Sequence, residues 1–165
     1  MPLKWKVLLP LLIVTVLVGG GTLVYRLRRL QSVPAAAWHC LREPQQMILY
    51  SIHPEEPADF VKGAAVFHGY RILGQVSVAA RSEQKRVAAA TQHAVLAALG
   101  EAACFNPRHG IRVSDGGHTC DFVLCFECGR MDYYLDHQTV GSTIIDRSPD
   151  ALNAVLREGQ VPFAE

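Results

Sequence analysis

The chain has no acidic residue in its first 42 positions and no basic stripe in the rest. All 15 acidic residues lie from Glu43 onward, and five basic residues flank an apolar run near the N-terminus, at Lys4, Lys6, Arg26, Arg28 and Arg29. The remainder is therefore mildly acidic. Because binding to phosphates needs clustered lysine and arginine, this charge pattern disfavours a nucleic-acid-binding function.

Recognisable reaction motifs are also missing. The chain shows no Ser-His-Asp order and no paired-carboxylate motif, so a hydrolase is the weakest of the functions considered. Its five cysteines are too few for a disulfide scaffold, and an odd number cannot pair completely within one chain. The composition favours a binding or structural module over an enzyme.

The first long segment is apolar. Residues 7–24 carry no charge and are about long enough to cross a ~30 Å hydrocarbon core. A cleaved signal peptide is the alternative, but no small-residue cleavage site follows closely. We therefore predict a transmembrane anchor over residues 1–30, with the membrane as its partner. The two flanks are similarly basic, and the domain is expected on the extracytoplasmic side.

The rest of the chain divides into a linker and one domain. Residues 31–45 contain two prolines and no clean period, and we predict a linker with Trp38 at the membrane interface. Residues 46–165 predict an α+β domain, an antiparallel sheet of about five strands with two packed helices. Expected strands are 46–53, 65–79, 111–114, 118–126 and 130–137, with 140–145 as a candidate for a further strand; expected helices are 82–99 and 148–159.

Two local patterns are the clearest. Asp115-Gly116-Gly117 supplies the positive φ angles of a tight hairpin turn. Val87, Thr91 and Val95 recur at four-residue steps and predict the buried stripe of a helix.

Most of the available chemistry lies between Cys104 and Cys128. Cys125-Phe126-Glu127-Cys128-Gly129 has the spacing of a zinc knuckle, with Cys104, His109, His118 or Cys120 as further ligands. The same residues permit a disulfide from Cys104 to Cys125 or Cys128. They also permit simple burial of the thiols in the core. The sequence leaves these alternatives open.

Two pairings concern the loop before the hairpin. Cys104 and His109 suggest a thiol nucleophile and its base, but no orienting Asn or Asp is visible. Arg108 and Glu127 predict an ion pair that braces the loop at Asn106 against the hairpin, because a charge beside so apolar a strand needs a partner.

Several motifs together resemble a family of small bacterial proteins with no known activity. They are Tyr50-Ser51-Ile52-His53-Pro54, residues 67–74, residues 104–112 and Cys125-Phe126-Glu127-Cys128. The resemblance covers residue 47 to the C-terminus and implies a bacterial protein behind a signal or anchor segment. It implies that one cluster contains Cys104, Arg108, His109, Cys125, Glu127 and Cys128. We predict that Asn106, in the same loop, belongs to this binding or structural cluster.

The resulting hypothesis is a single-pass protein of the bacterial cell membrane whose domain binds a protein partner at the envelope and needs no cofactor. The alternative is a thiol-redox or zinc-binding protein that uses Cys104, His109, Cys125 and Cys128.

Overall fold

The computed structural model describes residues 3–57, 63–98, 100 and 104–164. These residues form an α+β structure in which a curled antiparallel sheet is covered by helices. The helices are α1 (Leu3–Leu30), α2 (Ala35–Arg42), α3 (Arg81–Ala97) and α4 (Asp150–Glu158). The strands are β1 (Gln46–Pro57), β2 (Val66–Phe67), β3 (Tyr70–Ser77), β4 (His109–Ser114), β5 (Thr119–Cys125), β6 (Arg130–Leu135) and β7 (Gln138–Ile144).

All neighbouring strands are antiparallel, in the order β2-β3-β1-β4-β5-β6-β7. The β4–β5 hairpin turns at Asp115-Gly116-Gly117, as its sequence predicts. Gly116 has φ +92°, a left-handed value that glycine adopts without steric cost. The Asp115 carboxylate accepts the N–H groups of Gly117 and His118, which hold its pKa at about 2.

The main core lies between the sheet and α2, α3 and α4. Alternate residues of the strands supply one side of it, for example Leu49, Ile111 and Phe122, all fully buried. The predicted stripe of α3 and the apolar face of α4 supply the other side. β5 is also buried on its second face, where Val123 joins a smaller cluster, so its prediction as a strand covered on both sides is confirmed.

The predicted architecture has too few elements, because short ones were missed. The run at 65–79 is a hairpin of β2 and β3 rather than one strand, with His68 and Gly69 in left-handed conformation at its turn. The described residues form seven strands and four helices. The prediction had about five strands and three helices, counting the predicted N-terminal transmembrane helix.

The predicted linker contains a helix. Its sequence, AAAWHCLR, places Ala37, Trp38, Cys40 and Leu41 in the core as α2. Trp38 is only 4% exposed and its indole N–H donates to the carbonyl oxygen of Leu30 at 2.8 Å. Its predicted place at a membrane interface is therefore wrong.

The prediction of a transmembrane anchor is also wrong. Residues 7–24 lie within α1, yet none of the helices in the described ranges combines the length and the apolar character that crossing a membrane requires. The predicted single-pass location at the cell membrane is wrong for the same reason.

Candidate functional site

A disulfide holds the centre of the candidate site together. Cys104, in the segment before β4, is bonded to Cys128, in the turn after β5, across 24 positions of sequence. Of the pairings that the sequence leaves open, the structure contains this one. In the chain-entropy account, closing a loop of this length stabilises the fold by about 3 kcal/mol.

Cys125 is a free thiol directly beside this disulfide. Its Sγ accepts the backbone N–H of Cys128 at 3.1 Å and that of Asn106 at 3.3 Å. Burial raises the pKa of the Cys125 thiol, and these two N–H donors oppose the effect. Cys125 and Cys128 thus lie at the turn after β5, and Cys104 lies in the segment packed on this turn.

His109 begins β4 and is almost completely buried. Its Nε2 lies 2.7 Å from Oδ1 of Asn153 on α4, and its ring meets that of Phe126 edge-on at 5.2 Å between centroids. Burial lowers the pKa of His109 to about 4. The hydrogen bond to Asn153 raises this pKa, but its effect is smaller than that of burial. The imidazole is therefore neutral at pH 7, and its buried Nδ1 has no hydrogen-bond partner among the described residues.

Sequence reasoning missed Asn153 and Phe126. The available signal for Asn153 was its position in α4, between the buried Leu152 and Val155. An amide beside the core-facing stripe of an amphipathic helix needs a polar partner when it is buried.

The predicted ion pair of Arg108 with Glu127 is present. Nη1 of Arg108 lies 2.5 Å from Oε2 of Glu127, with the two side chains 33% and 52% exposed. The hydrogen bond from Arg108 lowers the pKa of Glu127. Because both groups are partly solvated, the pair positions the loop more than it stabilises the fold.

These groups surround a cavity of about 390 Å³. Four predicted residues line it: Asn106, Arg108, His109 and Glu127. The side chains that the prediction did not include are Phe126, Arg147, Pro149, Asn153, Phe163 and Ala164. The other three predicted residues, Cys104, Cys125 and Cys128, do not line the cavity. They lie in the turn and the segment to which the lining residues Asn106, Phe126 and Glu127 belong.

Two of the predicted zinc ligands are bonded to each other in the structure. Cys104 and Cys128 share a disulfide and offer no thiolate to a metal. Within the described ranges no three His, Cys, Asp or Glu side chains are grouped closely enough to hold an ion. The disulfide likewise leaves Cys104 without the thiol that a nucleophile activated by His109 would need.

A second polar cluster lies on the opposite face of the sheet and was not predicted. Asp121 is 1% exposed and accepts two hydrogen bonds from the Arg112 guanidinium, at 2.8 and 2.7 Å. Its Oδ2 also lies 2.7 Å from Nε2 of His68, whose ring stacks on Tyr134. Burial alone would raise the pKa of Asp121, but these two partners hold it below its ordinary value. Both oxygens of Asp121 are paired, and its contact with His68 fastens the β2–β3 hairpin to the sheet.

Gly110 also allows the β2–β3 hairpin to pack against the sheet. The ring of Phe67 lies where a Cβ on Gly110 would approach it to 2.6 Å. Phe67 also stacks on Tyr50, so the hairpin covers this part of the sheet with aromatic contacts.

Comparison of the chain with protein-family models, curated proteins and solved structures found no match. The resemblance to a bacterial family therefore stays a prediction.

Proposed function

We propose that the protein is a binding module that takes a small organic carboxylate in the cavity beside the Cys104–Cys128 disulfide. The observation that carries this proposal is the arginine at the cavity wall, Arg147, which makes no hydrogen bond or ion pair with the described part of the chain. An arginine guanidinium offers planar, paired donors that match a carboxylate.

The rest of the lining fits such a ligand. The volume of about 390 Å³ falls in the usual range of small-molecule sites. Phe126 and Phe163 supply apolar surface for the body of the ligand, and Asn106 supplies polar contacts. Among the described residues of the lining, the single acidic side chain, Glu127, is already paired with Arg108, so the unpaired charge that they contribute is positive.

The neutral state of His109 supports the same assignment. A buried imidazole with its pKa at about 4 is uncharged at pH 7, so it contributes a polar wall and no second cation. Arg147 is then the group that recognises the anion, and substitution of its side chain tests the proposal.

The test is a titration of the whole protein with 3-phenylpropionate and with its uncharged amide, followed by NMR. We expect the carboxylate to shift the resonances of Phe126 and Asn153, and the amide to do so at least tenfold more weakly. Arg147→Gln should weaken carboxylate binding about tenfold or more, the effect of losing one charge-assisted contact.

Lys85→Gln is the matched control, since it removes one exposed cation from α3, outside the cavity lining. Equal affinities in the two variants, or no shift of cavity resonances with the carboxylate, would overturn the proposal.

A further inference from the structure

The free thiol of Cys125 lies beside the Cys104–Cys128 disulfide, in an arrangement suited to thiol–disulfide exchange among these three cysteines. Cys125 ends β5, and the turn that follows is closed by the Gly129 N–H donating to the Cys125 carbonyl oxygen at 2.8 Å. Cys128 lies within this turn. The strand does not continue straight through, so the two cysteines do not point to opposite faces.

Cys125 and Cys128 are therefore spaced for an alternative pairing. Residues three apart in a tight turn have Cα atoms within roughly 7 Å of one another, and disulfides bridge Cα separations of about 4.4–6.8 Å. The Cys125 sulfur already accepts the backbone N–H of Cys128 at 3.1 Å.

Both arms of the existing disulfide hold the free sulfur in place. One donor to Cys125 is Cys128 itself, and the other is Asn106, two residues after Cys104. These N–H groups favour the thiolate, which is the form that attacks a disulfide.

We propose that this protein isomerises its own disulfide. The Cys125 thiol loses its proton to solvent, and the thiolate attacks Sγ of Cys128. The Cys125–Cys128 bond forms as the Cys104–Cys128 bond breaks, and Cys104 leaves as a thiolate that takes a proton from solvent. One disulfide and one thiol are present before and after, so no oxidant or reductant is consumed.

The exchange moves the thiol from a buried place to an exposed one. Cys125 is fully buried, whereas Cys104 is exposed. The new isomer also releases the segment carrying Asn106 and Arg108 from the turn. The protein would thus have a state with an accessible thiol at the edge of the cavity, whether or not the cavity binds a carboxylate.

The charges around Cys125 set the direction of the pH dependence. Burial raises the pKa of its thiol, Glu127 raises it further, and Arg108 lowers it; the Tyr70 hydroxyl also faces it and is neutral at pH 7. Because only the thiolate attacks, the exchange should be faster at pH 9 than at pH 7.

The experiment maps the disulfides of the whole wild-type protein without reductant. The protein is incubated at pH 7 and pH 9 with N-ethylmaleimide, quenched in acid at intervals, digested and analysed by mass spectrometry. We expect a growing fraction with Cys104 alkylated and Cys125 linked to Cys128, growing at least tenfold faster at pH 9. A urea-unfolded sample, in which every thiol exchanges, shows that the labelled isomer is detectable.

Two serine variants identify the attacking thiol. Cys125→Ser should abolish the alkylation of Cys104, whereas Cys120→Ser, which removes another buried free thiol, should leave it unchanged. The proposal is overturned if Cys104 stays unlabelled in the native wild type. It is equally overturned if Cys104 is labelled at the same rate in Cys125→Ser.

Discussion

At the scale of single residues, His109 makes the stability of the fold depend on pH. Its pKa is about 4 in the folded protein, because the ring is buried, against 6.5 for the ordinary group. Between these values the unfolded chain binds a proton that the folded chain does not. Stability therefore falls as the pH decreases from about 6.5 to 4, by about 3 kcal/mol in total.

We predict that His109→Gln removes this part of the pH dependence. Glutamine can still reach Asn153 with an amide and does not titrate. Urea unfolding of both proteins at pH 7, 6, 5 and 4 measures the difference, which cancels the contribution of the carboxylates common to both. Parallel curves for variant and wild type would show that the imidazole is protonated in the folded state.

Asp121 illustrates a buried charge that is fully paired. Because its folded pKa is depressed, it stabilises the fold above its unfolded pKa, and this contribution is lost as the pH falls through the lower folded value. Asp121→Asn leaves the Arg112 cation half-buried without its partner, and we expect a loss of about 3 kcal/mol of unfolding free energy.

Its matched control is Glu158→Gln, which neutralises the carboxylate of an exposed ion pair with Arg86. An exposed pair contributes at most about 1 kcal/mol. Chemical unfolding at pH 7 decides between them, and similar losses in the two variants would contradict the structural role given to Asp121.

At the scale of elements, α2 allows a direct test of the difference between the predicted linker and the observed core helix. Trp38 packs in the core and bonds to the end of α1, whereas His39, next in the same helix, has a side chain 68% exposed. We predict that Trp38→Ala costs about 4 kcal/mol, the usual effect of emptying a large buried aromatic site.

His39→Ala should change the unfolding free energy by no more than about 0.5 kcal/mol. Guanidinium unfolding of the two variants provides the comparison. If residues 31–45 behaved as a linker, both substitutions would have small effects of similar size.

Elements with strong local signals were the ones that could be predicted. The hairpin at Gly116, the buried stripe of α3 with Thr91 and the core face of α4 follow from turn chemistry and periodicity. β2 has two residues and α2 has eight, too short for a period to appear. The ends of such elements are set by tertiary contacts, here Phe67 on the sheet and Trp38 against α1.

The candidate site divides in the same way. The pairing of Arg108 with Glu127 could be predicted because an apolar strand leaves a charge few alternatives. Asn153 and Arg147 reach the cavity only because α4 and the segment before it return to the sheet. Nothing near them in sequence indicates that proximity.

At the scale of the whole molecule, the domain and the first helix are joined over a short contact. Leu30 packs against the core, and the Tyr133 hydroxyl donates to the carbonyl oxygen of Ser32, whereas the described side chains from Ile13 to Leu27 are largely exposed. We predict that a chain starting at Arg28 keeps the unfolding free energy of the full chain within about 0.5 kcal/mol.

Urea unfolding of both chains under identical conditions tests this. A loss of more than 1 kcal/mol in the shortened chain would mean that the earlier part of α1 stabilises the domain. A full-length Leu30→Ala variant serves as the comparison, since it should cost more than the truncation.

The strand order also determines how the chain must fold. β4 to β7 follow one another and pair with their neighbours in sequence, and β1 to β3 form a second local group. The two groups share a backbone ladder where β1 pairs with β4, for example Ile48 with Arg112, across the whole of α3. Because pairing distant strands requires closing a long loop, docking of the two groups is the slow event we expect in refolding. The Cys104–Cys128 bond lies within the group of β4 to β7, so it cannot shorten that loop or speed the docking.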